Sequence, residues 1–131
     1  MSGTILCVDD EALLLFSLKQ ELLRKFGGRF CYETALNPQE GLEIIAQALG
    51  DGARIDMVIT DWIMPGMRGD AFLQRVAQIL PTVPAVVLSG QAEESCVEEL
   101  REKCNLVGYL EKPHKASDLF EIIQRELLAE S

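Results

Sequence analysis

Along the chain, short apolar runs alternate with longer stretches in which apolar residues recur every three or four positions. Residues 4–8 (Thr-Ile-Leu-Cys-Val) are the first run, too short for a helix and rich enough in branched side chains for a buried strand stopping at Asp9-Asp10. Over residues 11–26, Leu14, Leu15, Leu18, Leu22 and Phe26 repeat at the helical period, and Gly27-Gly28 supplies a stop. A second strand is predicted over 30–34. Asn37-Pro38-Gln39-Glu40 then combines an N-cap residue, a proline at the first helical position and a glutamate at the third. The helix it opens carries Leu42, Ile45 and Leu49 on one face and stops at Gly50-Asp51-Gly52.

The second half continues the alternation. Residues 56–60, centred on Met57-Val58-Ile59, predict a third strand ending at Asp61, and 62–69 reads as a loop from Pro65, Gly66 and Gly69. A third helix over 71–79 is followed by a turn bracketed by Pro81 and Pro84, then by an all-apolar strand at 85–88 that Ser89-Gly90 stops. A short, strongly charged helix is predicted over 93–103, a fifth strand over 107–111 closed by Lys112-Pro113, and a last helix faced by Leu119, Ile122, Ile123 and Leu127, reaching about residue 129. Strands apolar on both faces, each followed by a helix, call for a parallel sheet covered on both sides, an α/β fold of (βα)5 type. Polar sites in such sheets collect beyond the C-terminal ends of the strands.

Asp9, Asp10, Asp61, Ser89 and Lys112 fall at those ends. Taken singly, each has a plainer reading: aspartates form turns and cap helices, Lys112 pairs with Glu111 or another acid, and Ser89 caps the next helix. Together they face one crevice. Three converging carboxylates raise one another's pKa and cost stability unless a cation offsets them, and hard oxygen donors suit Mg²⁺, with Mn²⁺ also compatible. An ammonium and a hydroxyl beside them are groups that meet phosphoryl oxygens, so the set has the parts for in-line phosphoryl transfer. Asp61 is the best-placed nucleophile, because it ends the central strand and is followed by the amides of Trp62 and Ile63, which can face the charge developing there.

Composition narrows the class. At 131 residues, 48% of them hydrophobic, the chain suits one folded domain with a full core. The longest apolar run, residues 12–16, is far too short to span a bilayer, and no basic segment precedes an apolar stretch at the start, so neither membrane insertion nor a signal peptide is expected. Cys7, Cys31, Cys96 and Cys104 lack metal-site spacing and read as small buried or half-buried side chains. A net charge of −9 argues against direct contact with nucleic acid, whose phosphates need a basic surface.

Val8-Asp9-Asp10, Asp61 followed by Met64-Pro65-Gly66, Val87-Leu88-Ser89-Gly90 and Tyr109-Leu110-x-Lys112-Pro113, in that order across nearly the whole chain, resemble the response-regulator receiver domain, the phosphoacceptor module of two-component signalling. The resemblance implies a single receiver over residues 1–131, a flavodoxin-like three-layer sandwich whose five parallel strands lie in the order 2-1-3-4-5. It implies that Asp61 accepts a phosphoryl group from a histidine kinase or histidine phosphotransfer protein. Asp10, Asp61 and the Ile63 carbonyl would hold Mg²⁺, with Asp9 acting through water. The amides of Trp62, Ile63 and Gly90 and the Lys112 ammonium would serve the phosphoryl group. Ser89 is similar to the family's switch hydroxyl and Tyr109 to the aromatic that moves with it, biasing the face of the fourth helix, fifth strand and fifth helix toward a downstream partner or output domain. The alternative for Tyr109 is a half-buried edge residue that does not switch. A cis Lys112-Pro113 bond, a cytoplasmic location, a monomer or weak homodimer, and no turnover of an outside substrate are also implied.

Departures from the family pattern set further expectations. Arg68 stands where an aspartate usually precedes Gly69, so the loop loosens or Asp70 compensates. Ile63 offers no side chain to orient attacking water, which predicts slow hydrolysis of an aspartyl phosphate, unless Gln91 positions the water instead. His114 replaces a more usual phenylalanine and is expected as a partly exposed loop imidazole, and Trp62 as a half-exposed cover beside the acceptor. The glutamates 93, 94, 98, 99 and 102 predict a solvated fourth helix. A phosphatase built on the same aspartate would need an acid at position 63. Three alternatives remain: a degenerate receiver that only binds, a receiver excised from a hybrid histidine kinase, or one from a multidomain regulator. A start at Met1 suits a free-standing protein or an N-terminal receiver.

Overall fold

The computed structural model describes residues 3–90, 94–112 and 114–128. Its elements run β1 (Gly3–Val8), α1 (Ala12–Phe26), β2 (Phe30–Ala35), α2 (Pro38–Gly50), β3 (Ile55–Asp61), α3 (Gly69–Ile79), β4 (Ala85–Ser89), α4 (Glu94–Lys103), β5 (Leu106–Glu111) and α5 (Ala116–Ile123). All neighbouring strands pair parallel, in the order β2-β1-β3-β4-β5. The central strands β1 and β4 are buried along their whole length, whereas edge strand β2 alternates buried and exposed positions, as one open side requires.

Strand alternation divides the interior into two layers. Ile5, Cys7, Met57, Ile59, Val86 and Leu88 point toward α1 and α5, where Leu15, Leu22 and Leu119 meet them. Leu6, Val8, Val58, Ala85 and Val87 point the other way, against Ile45 of α2, Phe72 and Val76 of α3 and Val97 and Leu100 of α4. Helix α2 comes close to the sheet because Gly41 carries no side chain; a Cβ there would lie 3.1 Å from Phe72 and 3.2 Å from Val8. Parallel strands of this kind have their C-terminal ends on one edge, so Asp9, Asp10, Asp61, Ser89 and Lys112 share it.

Local signals and structure agree at the start of α2. Asn37 is extended and its Oδ1 accepts from the Glu40 amide at 2.8 Å, while Glu40 Oε1 accepts from the Leu36 amide at 3.3 Å. The α2 face differs from expectation: Gly41, Ile45 and Ala48 turn inward and Leu49 is exposed, because the helix presents its smallest residues where the sheet is closest. Cys31 is exposed on the edge strand rather than buried, whereas burial pushes the Cys7 thiol up to about 12. The last helix is α-helical only to Ile123 and continues as a π turn over Gln124–Leu128. The Lys112-Pro113 bond expected to be cis and the water-positioning Gln91 lie outside the described residues. In α4, Glu98 and Glu99 are solvated and pair with Arg101 and Lys103 at 3.6 and 3.1 Å.

Urea unfolding separates these readings of α2. Asn37→Ala is expected to lower stability by about 1 kcal/mol through the lost cap, whereas Leu49→Gln is expected to change it by less than about 0.5 kcal/mol, as for other exposed sites.

Candidate functional site

The site is built at the C-terminal ends of four strands, β1, β3, β4 and β5. Strand β1 delivers Asp9, nearly buried, whose Oδ1 accepts from the Glu11 amide at 3.0 Å and whose own amide donates to the Ala35 carbonyl. Asp10 follows and points out to solvent. Strand β3 ends on Asp61, whose Oδ1 accepts from the Trp62 amide at 2.7 Å. Carboxylate oxygens of Asp9, Asp10 and Asp61 all lie within 4.8 Å of one another. From beyond β5, the Lys112 ammonium reaches Asp9 Oδ2 at 3.0 Å and Asp61 Oδ2 at 3.3 Å. The Lys112 amide donates to the Ser89 carbonyl at 2.9 Å, tying the last two strand ends together.

These residues open on a cavity of about 340 Å³ lined by Asp10, Glu11, Asp61, Ile63, Ser89, Gly90 and Lys112. The five predicted strand-end residues are thus in one place, with Ile63 and Gly90 at its mouth. Ser89 is buried, and the pairing of Val87 with Tyr109 puts Tyr109 on the same sheet face as Ser89. Tyr109 is half-buried against the layer that holds α4. His114 is half-buried near Lys112, its pKa held down by burial despite Glu21.

Electrostatically the site is unbalanced. Burial raises the Asp61 carboxyl pKa above its ordinary value; Lys112 opposes that rise, and Asp9 adds to it. Burial alone would lower the Lys112 pKa, but Asp9 and Asp61 outweigh it and keep the ammonium charged. One ammonium among three carboxylates leaves a net charge deficit that hard oxygens share, and a divalent cation is the group this donor set fits.

Trp62 corrects the sequence reading. It was expected half-exposed over the site, yet it is 3% exposed, packed in the layer formed by α3 and α4. The strand-like alternation continues past Asp61, so Trp62 and Met64 turn inward and Ile63, 56% exposed, turns out. That alternation was visible in the sequence and was obscured by the loop residues Pro65 and Gly66. Sequence reasoning also missed Thr60, whose buried hydroxyl donates to the Asp61 carbonyl at 2.9 Å and fixes the strand end. At position 68 no side chain caps α3; Asp70 compensates, accepting from the Ala71 amide at 2.9 Å and pairing with Arg68 at 2.7 Å. Arg68 in turn holds the Asp70 carboxyl below its usual range.

The response regulator receiver domain model matches residues 5–124, and the chain belongs to that family. It is 31% identical over 125 residues to the chemotaxis protein CheY-3 of Vibrio cholerae, covering 92% of this chain and 88% of that protein. It is 32% identical over 128 residues to the transcriptional regulator NtrC of Rhizobium meliloti, covering 97% of this chain and 25% of that protein. Among solved structures, a receiver domain protein from Clostridium thermocellum superposes with a TM-score of 0.82 at 29% identity, covering 96% of this chain and 94% of that one. The chain spans only 11–46% of the length of the first four curated relatives it matches. The acidic cluster with its lysine is the phosphoacceptor architecture of this family. Among the described residues, no helix is long and apolar enough to cross a membrane.

Thermal unfolding without divalent ions tests the imbalance. A pKa raised on folding makes ionised Asp61 a net cost: its contribution is favourable below the unfolded carboxyl pKa and is lost as pH rises through the folded one. Asp61→Asn is therefore expected to raise the melting temperature at neutral pH, and the gain is expected to vanish at a pH below both carboxyl pKa values. An equal or lower midpoint for the variant at neutral pH would contradict this.

Proposed function

We propose that the chain is one receiver module over residues 1–131 in which Asp61 accepts a phosphoryl group from the phosphohistidine of a histidine kinase or phosphotransfer protein. The observation that carries this is the meeting of three carboxylates within 4.8 Å, two of them (Asp9 and Asp61) bridged by Lys112, at the open ends of the strands. Asp61 is held in one orientation, Oδ1 by the Trp62 amide and Oδ2 by Lys112, which leaves the carboxylate facing the cavity for in-line attack. As the phosphorus–nitrogen bond of the donor breaks and a bond to the Asp61 carboxylate forms, Lys112 and the amides of Trp62, Ile63 and Gly90 offer positive partners to the phosphoryl oxygens. Asp10, Asp61 and the Ile63 carbonyl would hold Mg²⁺, or Mn²⁺ in its place, with Asp9 acting through water. The ion supplies charge neutralisation between carboxylate and phosphoryl group.

Lys112, while it pairs with Asp9 and Asp61, stands where it can turn to the phosphoryl group. Ser89 and Tyr109 share a sheet face, which suits a hydroxyl that follows the phosphoryl group and an aromatic that follows the hydroxyl. The face of α4, β5 and α5 then changes its affinity for a downstream partner or output domain. Leu13 and Phe16, 82% and 62% exposed at the start of α1, give a protein donor apolar footing beside the crevice. We place the module in the cytoplasm, where such donors act, as a monomer or weak homodimer without nucleic-acid contacts of its own.

Incubation with Mg²⁺ and acetyl phosphate, read by intact mass, is expected to add one phosphoryl group to the native chain and none to Asp61→Asn; an unmodified native chain would refute the reading and favour a receiver that only binds. With Ile63 apolar and exposed, the phosphorylated form is expected to persist for minutes or longer at neutral pH with Mg²⁺ present, and decay within seconds would contradict the role given to that position.

A further inference from the structure

The segment that carries the acceptor is gripped from its far end. Trp62 donates its amide to Asp61 Oδ1 at 2.7 Å, and its carbonyl accepts from the Gly69 amide, also at 2.7 Å. The two stretches of chain touch so closely that a Cβ on Gly69 would clash with the Asp61 carbonyl oxygen and lie 3.0 Å from the Trp62 Cα. Over the Trp62 ring, 5.7 Å from its centre, sits the guanidinium of Arg68. That guanidinium is forked onto Asp70 through Nε at 3.1 Å and Nη2 at 2.7 Å, and Asp70 is fastened to the first turn of α3 by the Ala71 amide. Cys96 of α4 meets the same guanidinium. Between the two gripped ends, residues 63–67 form a loop whose Gly66 is left-handed (φ 88°).

A cation at the start of a helix is unfavourable to the helix itself, and Arg68 makes no capping hydrogen bond. Its side chain is spent on the loop instead. We propose that Arg68 is a positioning residue for the acceptor: stacked on Trp62 and forked onto Asp70, it holds the Trp62 amide on the Asp61 carboxylate and keeps Ile63 at the mouth of the cavity. This rests on Asp61 being the acceptor. Loosening the stack lets the Trp62 peptide rotate, the carboxylate loses the donor that selects its orientation, and the reactive geometry is populated for less of the time. Lysine at 68 keeps the cation over the ring and a single bond to Asp70; methionine keeps only the stem.

The test compares native protein, Arg68→Lys and Arg68→Met in two measurements. The first is the rate of phosphorylation by acetyl phosphate at saturating Mg²⁺, followed by intact mass. The second is the amide proton shift of Trp62 in a ¹⁵N-labelled sample, which reports the hydrogen bond to Asp61 directly. Arg68→Met is expected to slow phosphorylation about 10-fold, below the roughly 100-fold that a misplacement of about 1 Å can cost, and to move the Trp62 amide signal upfield, with Arg68→Lys recovering most of both. A native rate in Arg68→Met, a slowed rate with an unmoved Trp62 signal, or no recovery by lysine would overturn the proposal. If Arg68→Met does not fold, Asp70→Asn releases the guanidinium from its other side and is expected to produce the same paired changes. If the native chain takes no phosphoryl group, the acceptor reading fails, and the Trp62 signal still decides whether Arg68 sets the amide.

Discussion

Three carboxylates held within 4.8 Å, with a single ammonium that pairs with two of them, are the constraint from which the rest of this molecule follows. Mutual repulsion and burial oppose keeping all three charged. The parallel sheet enforces the meeting regardless, because β1 and β3 are adjacent and both run out at the same edge. Hydrophobic burial on both faces of that sheet supplies the stability against which the repulsion is set. The result is a site with an excess of negative charge, and a divalent cation is the group that its donor set fits.

The surroundings of Asp61 show how the fold turns that imbalance to use. Trp62 is buried and its amide fixes one carboxylate oxygen, while Lys112 fixes the other. Lys112 also joins Asp9 to Asp61 and its amide is tied to the Ser89 carbonyl, so Asp61, the end of β4 and the end of β5 belong to one connected set. Lys112 follows the end of β5, and that strand carries Tyr109 on the α4 side of the sheet.

Much of this was legible in the sequence, for local reasons. A polar residue that interrupts an apolar run marks a strand end; Asp9 and Ser89 do so directly, and Asp61 and Lys112 follow one residue after Thr60 and Glu111. The Asn37 cap was legible because it is decided within four residues. Periodicity failed where size mattered more than hydropathy: Leu49 fits an apolar stripe, but α2 lies too close to the sheet and Ala48 takes the inward place. It failed again at Trp62, whose burial depends on the strand pattern persisting into a proline-containing loop, and at Arg68, whose stack forms only when residues 62 and 68 are brought together. Contacts across a loop leave no period to read.

The central claim is tested most directly by the melting temperature of the native chain as Mg²⁺ is added at constant ionic strength and neutral pH. An ion that binds only the folded carboxylate cluster stabilises it by mass action, by about 2.7 kcal/mol at a concentration 100 times the dissociation constant. A midpoint that climbs with Mg²⁺ and stays level with added Na⁺ is the predicted result. A midpoint indifferent to millimolar Mg²⁺ in a folded protein would mean that the three carboxylates do not form a cation site, and the account built on them would fail.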